Sequence, residues 1–212
     1  MELSKYIDHT LLRADASEQE IIQLCKEAKQ YNFKSVCVNP SYIPLAKQEL
    51  KGSDVLVCTV IGFPLGQMTT NAKVSETKDA INIGADEVDM VINIAKLKAH
   101  DLNYVTNEIK LIKQACGNKV LKVIVETCLL NDQQKIDACH CVMNAKADFI
   151  KTSTGFSTSG ATVHDVELFK KTVGDKILIK AAGGVKNKDD FHAMIKAGAN
   201  RIGTSRGVEL FK

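Results

Sequence analysis

Four charged residues interrupt runs that are otherwise apolar. Asp89 sits in Val88-Asp89-Met90-Val91 and Lys122 in Leu121-Lys122-Val123-Ile124, while Lys151 follows Phe149-Ile150 and Lys180 follows Ile177-Leu178-Ile179. Charged side chains are almost never fully buried unless paired, and an isolated one costs several kcal/mol after relaxation. One arrangement accommodates all four: each points into a common lumen, where opposite charges partly neutralise one another. For Lys122, a structural ion pair and a functional role are both open. For Lys151 and Lys180 the functional reading is favoured, because perturbed ionisable groups cluster in active sites and each lysine precedes small residues, Thr152-Ser153-Thr154-Gly155 and Ala181-Ala182-Gly183-Gly184.

Two neighbouring lysines have a chemical meaning. A free lysine titrates near 10.4 and attacks a carbonyl only as the neutral amine. Bringing such a group to about pH 7 takes about 4 kcal/mol, which desolvation and an adjacent ammonium can supply. The amine then forms a Schiff base with an aldehyde or ketone. The iminium withdraws electrons and stabilises the enamine needed to break or make a C–C bond. A nearby carboxylate, Asp89, can accept and return protons through water or through the second lysine.

These side chains need a scaffold that brings distant strands together. Strands are expected at 34–38, 55–61, 87–92, 120–126, 148–152, 176–181 and 201–203, and helices at 17–31, 40–50, 69–83, 102–116, 132–145, 162–173 and 188–197, with a short last one from Arg206. Ser17 precedes Glu20 by three, a capping-box spacing. Asn131 and Asn187 stand at helix starts, and Gly84, Gly174 and Gly198 stand where left-handed caps belong. Counting Tyr6–Thr10 as the first strand gives eight β/α units. Strict alternation implies a parallel sheet, and the eightfold count implies one closed (β/α)8 TIM barrel over residues 1–212, with a doubly wound open sheet as the alternative. Barrel enzymes keep their chemistry at the C-terminal ends of the strands.

The last two loops suggest an anion site. Gly183-Gly184 follows the seventh strand and Gly203-Thr204-Ser205-Arg206-Gly207 the eighth, where phosphate sites of such barrels form. Lys186 lies close by in sequence.

Composition bounds the partners. The 212 residues include 28 basic and 25 acidic side chains, a net charge of +3, with 45% hydrophobic and 25% charged residues. This balance gives no footprint for non-specific nucleic-acid binding. The longest uncharged stretch, 55–72, has an apolar part too short to cross a bilayer, and the first residues do not read as a secretory signal. Seven scattered cysteines suggest a reducing cytoplasm and buried free thiols. Cys139-His140-Cys141 is the one Cys/His cluster, and on a helix it cannot chelate as a local unit, so no metal or other cofactor is expected. Cys37 reads as core.

Seven segments, in order, resemble the deoxyribose-phosphate aldolases: YIDHTLL from Tyr6, SVCVNP from Ser35, VIGFPLG from Val60, GADEVDMVIN from Gly84, VLKVIVET from Val120, DFIKTSTG from Asp148 and IKAAGGVK from Ile179. The resemblance runs from Tyr6 to about Gly207. It implies a metal-independent class I aldolase that reversibly cleaves 2-deoxy-D-ribose 5-phosphate to acetaldehyde and D-glyceraldehyde 3-phosphate. Lys151 matches the Schiff-base lysine, Lys180 the proton-relay lysine and Asp89 the carboxylate. Asp8 and Thr10 match residues lining the site, and Gly155, Gly183, Gly184, Gly203 and Ser205 match positions around the phosphate. Lys122 and Thr154 complete the expected substrate contacts. Members of the family act in the cytoplasm in deoxynucleoside catabolism, and many are homodimers.

Two departures stand out. Some members carry a lysine after the Thr-Gly where this chain has Phe156, which shifts phosphate compensation to Lys186 or Arg206. Some also carry a longer tail ending in a tyrosine that assists proton transfer, whereas this sequence ends Leu210-Phe211-Lys212. This implies a step managed without it, or a lower rate. The competing readings are another class I carbonyl-lyase barrel that uses a ketone donor, and a phosphate-binding barrel without catalysis.

Overall fold

Local signals at the helix ends set the frame. Ser17 caps the first helix, α1 (Glu18–Gln30), accepting from the Glu20 amide while the Glu20 carboxylate accepts from the Ser17 amide. Asn131 makes the corresponding box with Gln134 at α6 (Asp132–Asn144), and Asn187 accepts from the Asp190 amide at α8 (Lys188–Ala197). Such caps satisfy amides that the helix leaves unpaired. Gly198, at φ +117°, ends α8 in the left-handed region that favours glycine.

The computed structural model describes residues 2–211; Met1 and Lys212, the two ends of the 1–212 domain reading, lie outside the described residues. Eight parallel strands close into a barrel in sequence order: β1 (Ile7–Leu11), β2 (Ser35–Val38), β3 (Leu56–Ile61), β4 (Glu87–Val91), β5 (Val120–Ile124), β6 (Phe149–Lys151), β7 (Leu178–Ala182) and β8 (Arg201–Thr204), with β1 pairing both β2 and β8. The expected TIM barrel is the observed fold, and the open sheet is excluded because β8 returns to β1 in register, Ile7 opposite Ile202. The remaining helices, α2 (Ile43–Glu49), α3 (Thr70–Asn82), α4 (Ile94–Lys98), α5 (Leu102–Cys116), α7 (Val163–Val173) and α9 (Gly207–Phe211), lie in the connections between strands and after β8.

Differences from the expected boundaries have local causes. The predicted 40–50 helix divides into a 3-10 turn at Pro40–Tyr42 followed by α2. The five-residue α4, capped by Asn93, has no counterpart in the sequence reading and is too short to show helical periodicity. β5 stops at Ile124 rather than Glu126, because Glu126 adopts a left-handed backbone at φ 59°.

The main core lies between sheet and helices. It includes Val36, Val88, Val123, Ile150, Ile179 and Ile202 from the outer strand faces, and Ile21, Ile109, Val142 and Phe169 from the helices, all almost fully buried. Leu12, Cys37, Cys58 and Val60 form a second, small apolar cluster. Cys139 and Cys141 are both buried although they lie on opposite sides of α6, which packs against α5 and α7; Cys141 reaches the Leu102 carbonyl and His140 is exposed. All seven cysteines are free thiols. Burial pushes Cys25, Cys116 and Cys139 up to about 12, so they stay protonated at neutral pH.

Candidate active site

Alternation along a strand places every second side chain on one face. Glu87 and Asp89 on β4 therefore share a face, and Asp89 stands opposite Lys122 on β5. Lys151 on β6 stands opposite Lys180 on β7, which stands opposite Arg201 on β8. These residues and Asp8 of β1 converge, each buried, in one network of ion pairs inside the barrel. The expected common lumen for Asp89, Lys122, Lys151 and Lys180 is thus what the register builds.

Asp89 is the hub. Its Oδ2 accepts from Lys151 Nζ at 2.7 Å and from Lys180 Nζ at 2.8 Å, and its Oδ1 accepts from Lys122 Nζ at 2.9 Å and from the Cys58 thiol at 3.2 Å. Burial alone would raise the Asp89 carboxyl, but Lys122, Lys151 and Lys180 together hold it well below the usual carboxylate range. Asp8 is likewise lowered against its burial, first by Arg201 and then by Lys180 and Lys122. It accepts from Ser35 Oγ at 2.6 Å and Arg201 Nη1 at 2.7 Å, and its Oδ2 pairs with Lys180 Nζ at 2.5 Å. Burial disfavours the ammonium of Lys180, yet Asp8 and Asp89 raise it above the ordinary lysine range, and Asp89 leads the same outcome for Lys122.

A cavity of about 560 Å³ opens above this network at the C-terminal ends of the strands. Lys151 lines it, together with Thr10, Thr154, Gly155, Gly183, Gly184, Gly203 and Ser205. Asp8 and Lys122, the other expected substrate contacts, lie deeper in the barrel. Both are fully buried, neither lines the cavity, and their polar atoms face other charges of the network. Lys122 Nζ lies 2.5 Å from Glu87 Oε2, so its neighbours within the barrel claim it. Asp89 and Lys180 are also absent from the cavity wall and reach it through Lys151.

Phe156 lines the mouth, 54% exposed and edge-on to Phe63 at 5.3 Å. Three cations share that wall: Arg13, Lys186 and Arg206. Arg13 is paired with Asp15 and Glu20, and Arg206 Nη1 lies 3.7 Å from Glu209.

Two glycines act by close approach. A Cβ on Gly203 would stand 3.0 Å from Lys180 Cε, so this glycine leaves room for the lysine stem as well as lining the cavity. A Cβ on Gly160 would meet the Gly183 carbonyl carbon at 2.3 Å, and Ala161 donates to the Ala182 and Gly183 carbonyls, which fastens the loop after β6 onto the loop after β7.

Three residues of the site escape the sequence reading. Glu87 and Arg201 belong to the charge network, and the signal for Glu87 was its period-two spacing from Asp89. Glu126, left-handed and buried, accepts from the Thr154 amide at 3.3 Å and hydroxyl at 2.5 Å, and Thr154 Oγ1 in turn accepts from the Phe156 amide. This chain orders the loop that carries Thr154 and Gly155.

Two groups of side chains have metal-ligand geometry, Cys37 with Cys58 and Asp89, and Asp8 with Cys58 and Glu87. Lys122 Nζ already stands among them, 2.9 Å from Asp89 Oδ1, 2.5 Å from Glu87 Oε2 and 3.3 Å from Cys58 Sγ. Its ammonium supplies the positive charge that a cation would bring.

Among the described residues, no helix is long and apolar enough to cross a membrane. The sequence model of the DeoC/LacD family aldolases matches residues 3–210. A deoxyribose-phosphate aldolase of Malacoplasma penetrans is 61% identical over 211 residues, covering 100% of this chain and 95% of the relative. One from Finegoldia magna is 56% identical over 210 residues, covering 99% of each chain. The solved tetrameric deoxyribose phosphate aldolase of Aeropyrum pernix superimposes with a TM-score of 0.89 at 31% identity, covering 98% of this chain and 88% of that one. The barrel, the lysine pair on a shared carboxylate and these full-length matches agree, and the chain belongs to the DeoC/LacD family of aldolases.

Proposed function

We propose that this protein is a deoxyribose-phosphate aldolase that works through a Schiff base on Lys151. The observation that carries the reading is that Lys151 is the one lysine of the buried network that also lines the cavity. In the cleavage direction the neutral Nζ attacks the aldehyde carbon of the open-chain sugar phosphate. The C–N bond forms, one Nζ proton passes to the carbonyl oxygen and Lys180 supplies a second, and the oxygen leaves as water to give the iminium. The iminium then accepts the electron pair of the breaking C2–C3 bond as the C3 hydroxyl loses its proton. Glyceraldehyde 3-phosphate departs, the enamine is protonated at C2, and hydrolysis of the imine releases acetaldehyde and restores the amine.

Lys180 is the proton carrier in this scheme. It bonds the same Asp89 oxygen as Lys151, which holds the two nitrogens within two hydrogen bonds of each other. Asp89, held well below the usual carboxylate range by three lysines, remains anionic and orients both amines, while the mobile proton travels on nitrogen. Losing the Lys151 proton also suits the charge balance. The interior holds four cations, Lys122, Lys151, Lys180 and Arg201, and three anions, Asp8, Glu87 and Asp89. The free amine at Lys151 makes this balance even.

The Gly183-Gly184 turn, Ser205 and the mouth cations Lys186 and Arg206 are the groups proposed to hold the phosphate. Their support is position, since phosphate sites of TIM barrels form at the last two loops. Self-association as a homodimer and a cytoplasmic location complete the proposal; the Aeropyrum pernix relative is described as tetrameric.

The test is an assay of 2-deoxy-D-ribose 5-phosphate cleavage, followed by synthesis from glyceraldehyde 3-phosphate with either acetaldehyde or dihydroxyacetone as donor. Cleavage together with a preference for acetaldehyde is expected. A preference for dihydroxyacetone would assign the site to a ketone-donor aldolase, and binding without turnover would remove the enzymatic reading.

A further inference from the structure

Glu87 lies two residues before Asp89, fully buried and away from the cavity wall, and the chemistry proposed above gives it no contact with substrate and no proton to carry. Its surroundings are entirely cationic on two sides. Oε2 lies 2.5 Å from Lys122 Nζ on β5 and 3.0 Å from Arg201 Nη1 on β8. From β3 the Cys58 thiol approaches, and from β1 the Asp8 carboxylate, each within 4.8 Å of a Glu87 oxygen. Phe149 of β6 closes the space with its ring, 6.0 Å from Lys122 Nζ and 5.3 Å from the Arg201 guanidinium carbon. Around Lys151 itself stand Asp89 from β4 and, bonded to the same carboxylate oxygen, Lys180 from β7. Cys37 of β2 lies beside Cys58 and Asp89; burial pushes the Cys58 thiol well up, whereas the hydrogen bond with Cys58 draws Cys37 down.

We infer that Glu87 is a positioning residue of the aldol reaction: it sets the net charge under Lys151, and thereby the pH at which that lysine becomes the free amine, through Lys122 and Arg201 rather than by contact with substrate. The inference rests on the reading of Lys151 as the nucleophile. With all seven groups ionised the interior carries one surplus positive charge, and the only member that faces the cavity is Lys151. In a low-dielectric interior a unit charge acts at a distance with little screening. Removing the Glu87 charge makes the surplus two, which acts against the ammonium of Lys151. Removing the Arg201 charge makes the surplus zero, which favours it. Lys122 keeps Asp89 at 2.9 Å and Asp8 at 3.8 Å in either case, and so remains a cation.

The experiment measures the rate at which acetaldehyde and borohydride label Lys151 as a function of pH, in the parent protein, Glu87→Gln, Arg201→Gln and the double variant. The acid limb of labelling should move to lower pH by about one unit in Glu87→Gln, a tenfold gain in labelling on that limb. It should move to higher pH by a similar amount in Arg201→Gln. The double variant, with one anion and one cation removed, should return close to the parent profile even though two buried side chains have changed. The two single variants carry opposite signs, so each tests the inference if the other does not fold. A limb that stays in place in a folded variant, with only a lower rate or lower Tm at every pH, would overturn the role of Glu87 and leave an ordinary structural ion pair. Absence of label on Lys151 in the parent protein would instead overturn the Schiff-base reading itself, so the two failures are distinct.

Discussion

Lys151 and Lys180 stand opposite each other in the β6–β7 register, and both donate to one oxygen, Oδ2 of Asp89, at 2.7 and 2.8 Å. A single carboxylate oxygen thus holds a cavity-facing amine against a second amine that Asp8 and Asp89 keep protonated. This geometry separates the roles of two residues of the same type. Lys151 faces the cavity with one anionic partner, and Lys180 stands behind it with two.

Replacing Lys180 with leucine should make labelling of Lys151 by acetaldehyde and borohydride require more alkaline conditions. Loss of the neighbouring ammonium favours the charged form of Lys151, and Asp89 Oδ2 then serves Lys151 alone. Desolvation by the leucine acts in the opposite sense and is the smaller effect for one side chain. Turnover should stay low even where labelling recovers, because the proton carrier is gone. An unchanged pH profile would mean that burial alone tunes Lys151.

Asp89→Asn should lower the cleavage rate by about 10² to 10⁴, the range of a lost acid–base group. It should also lower stability by about 3–5 kcal/mol, because three lysines lose a buried anion. The structure adds this second effect to what the sequence alone suggests. Denaturant melts and steady-state kinetics read the two separately, and a loss in rate below about tenfold would move the proton chemistry elsewhere, with Asp8 the next candidate.

Acid should unfold the protein through this cluster. Asp8 and Asp89 are depressed in the folded state, so their contribution is present above the unfolded value of about 3.9 and is lost as pH falls through their folded values. Lys122 and Lys180 are raised, so theirs is fully present below about 10.4 and is lost only as pH rises through folded values above that. The Tm should therefore fall below about pH 4 and should not fall on account of this cluster between about pH 5 and 9. Asp8→Asn should lower the Tm at neutral pH and flatten the acid limb, and calorimetry across pH would show an unaltered limb if the pairs were energetically silent.

At the cavity mouth, Lys186→Ala and Arg206→Ala should raise KM for the phosphorylated sugar with little change in kcat, because they bind a remote group equally in ground and transition states. Phe156→Lys should lower that KM, with the gain shrinking as salt is added. Equal KM values for phosphorylated and unphosphorylated sugar in the parent protein would place the phosphate elsewhere.

The eight β/α units were legible because the strands after the first carry short apolar stretches, Val- or Ile-containing in β2 to β5, and the first was found by counting. The lysines of β6 and β7 were legible because a charge in an apolar run is costly. Lys122 was legible as a lumen-facing charge but not as to its depth, since it stands opposite Phe149, two residues before Lys151 on the neighbouring strand, and so lies among the charges beneath the cavity. Arg201 begins its strand and so resembles a rim residue; only closure of β8 on β1 brings it to Asp8. Glu126 gave no signal because its role depends on a left-handed backbone and on Thr154, 28 residues away.

The role proposed for Lys151 is that of the nucleophile. Incubation with acetaldehyde, reduction with borohydride, digestion and peptide mapping tests it directly. A stable ethyl group is expected on the peptide containing Lys151, with none on Lys180 or Lys122, and neither label nor cleavage activity is expected in Lys151→Ala. Label on Lys180 in the parent protein would reverse the two lysines, and full activity in Lys151→Ala would contradict the account.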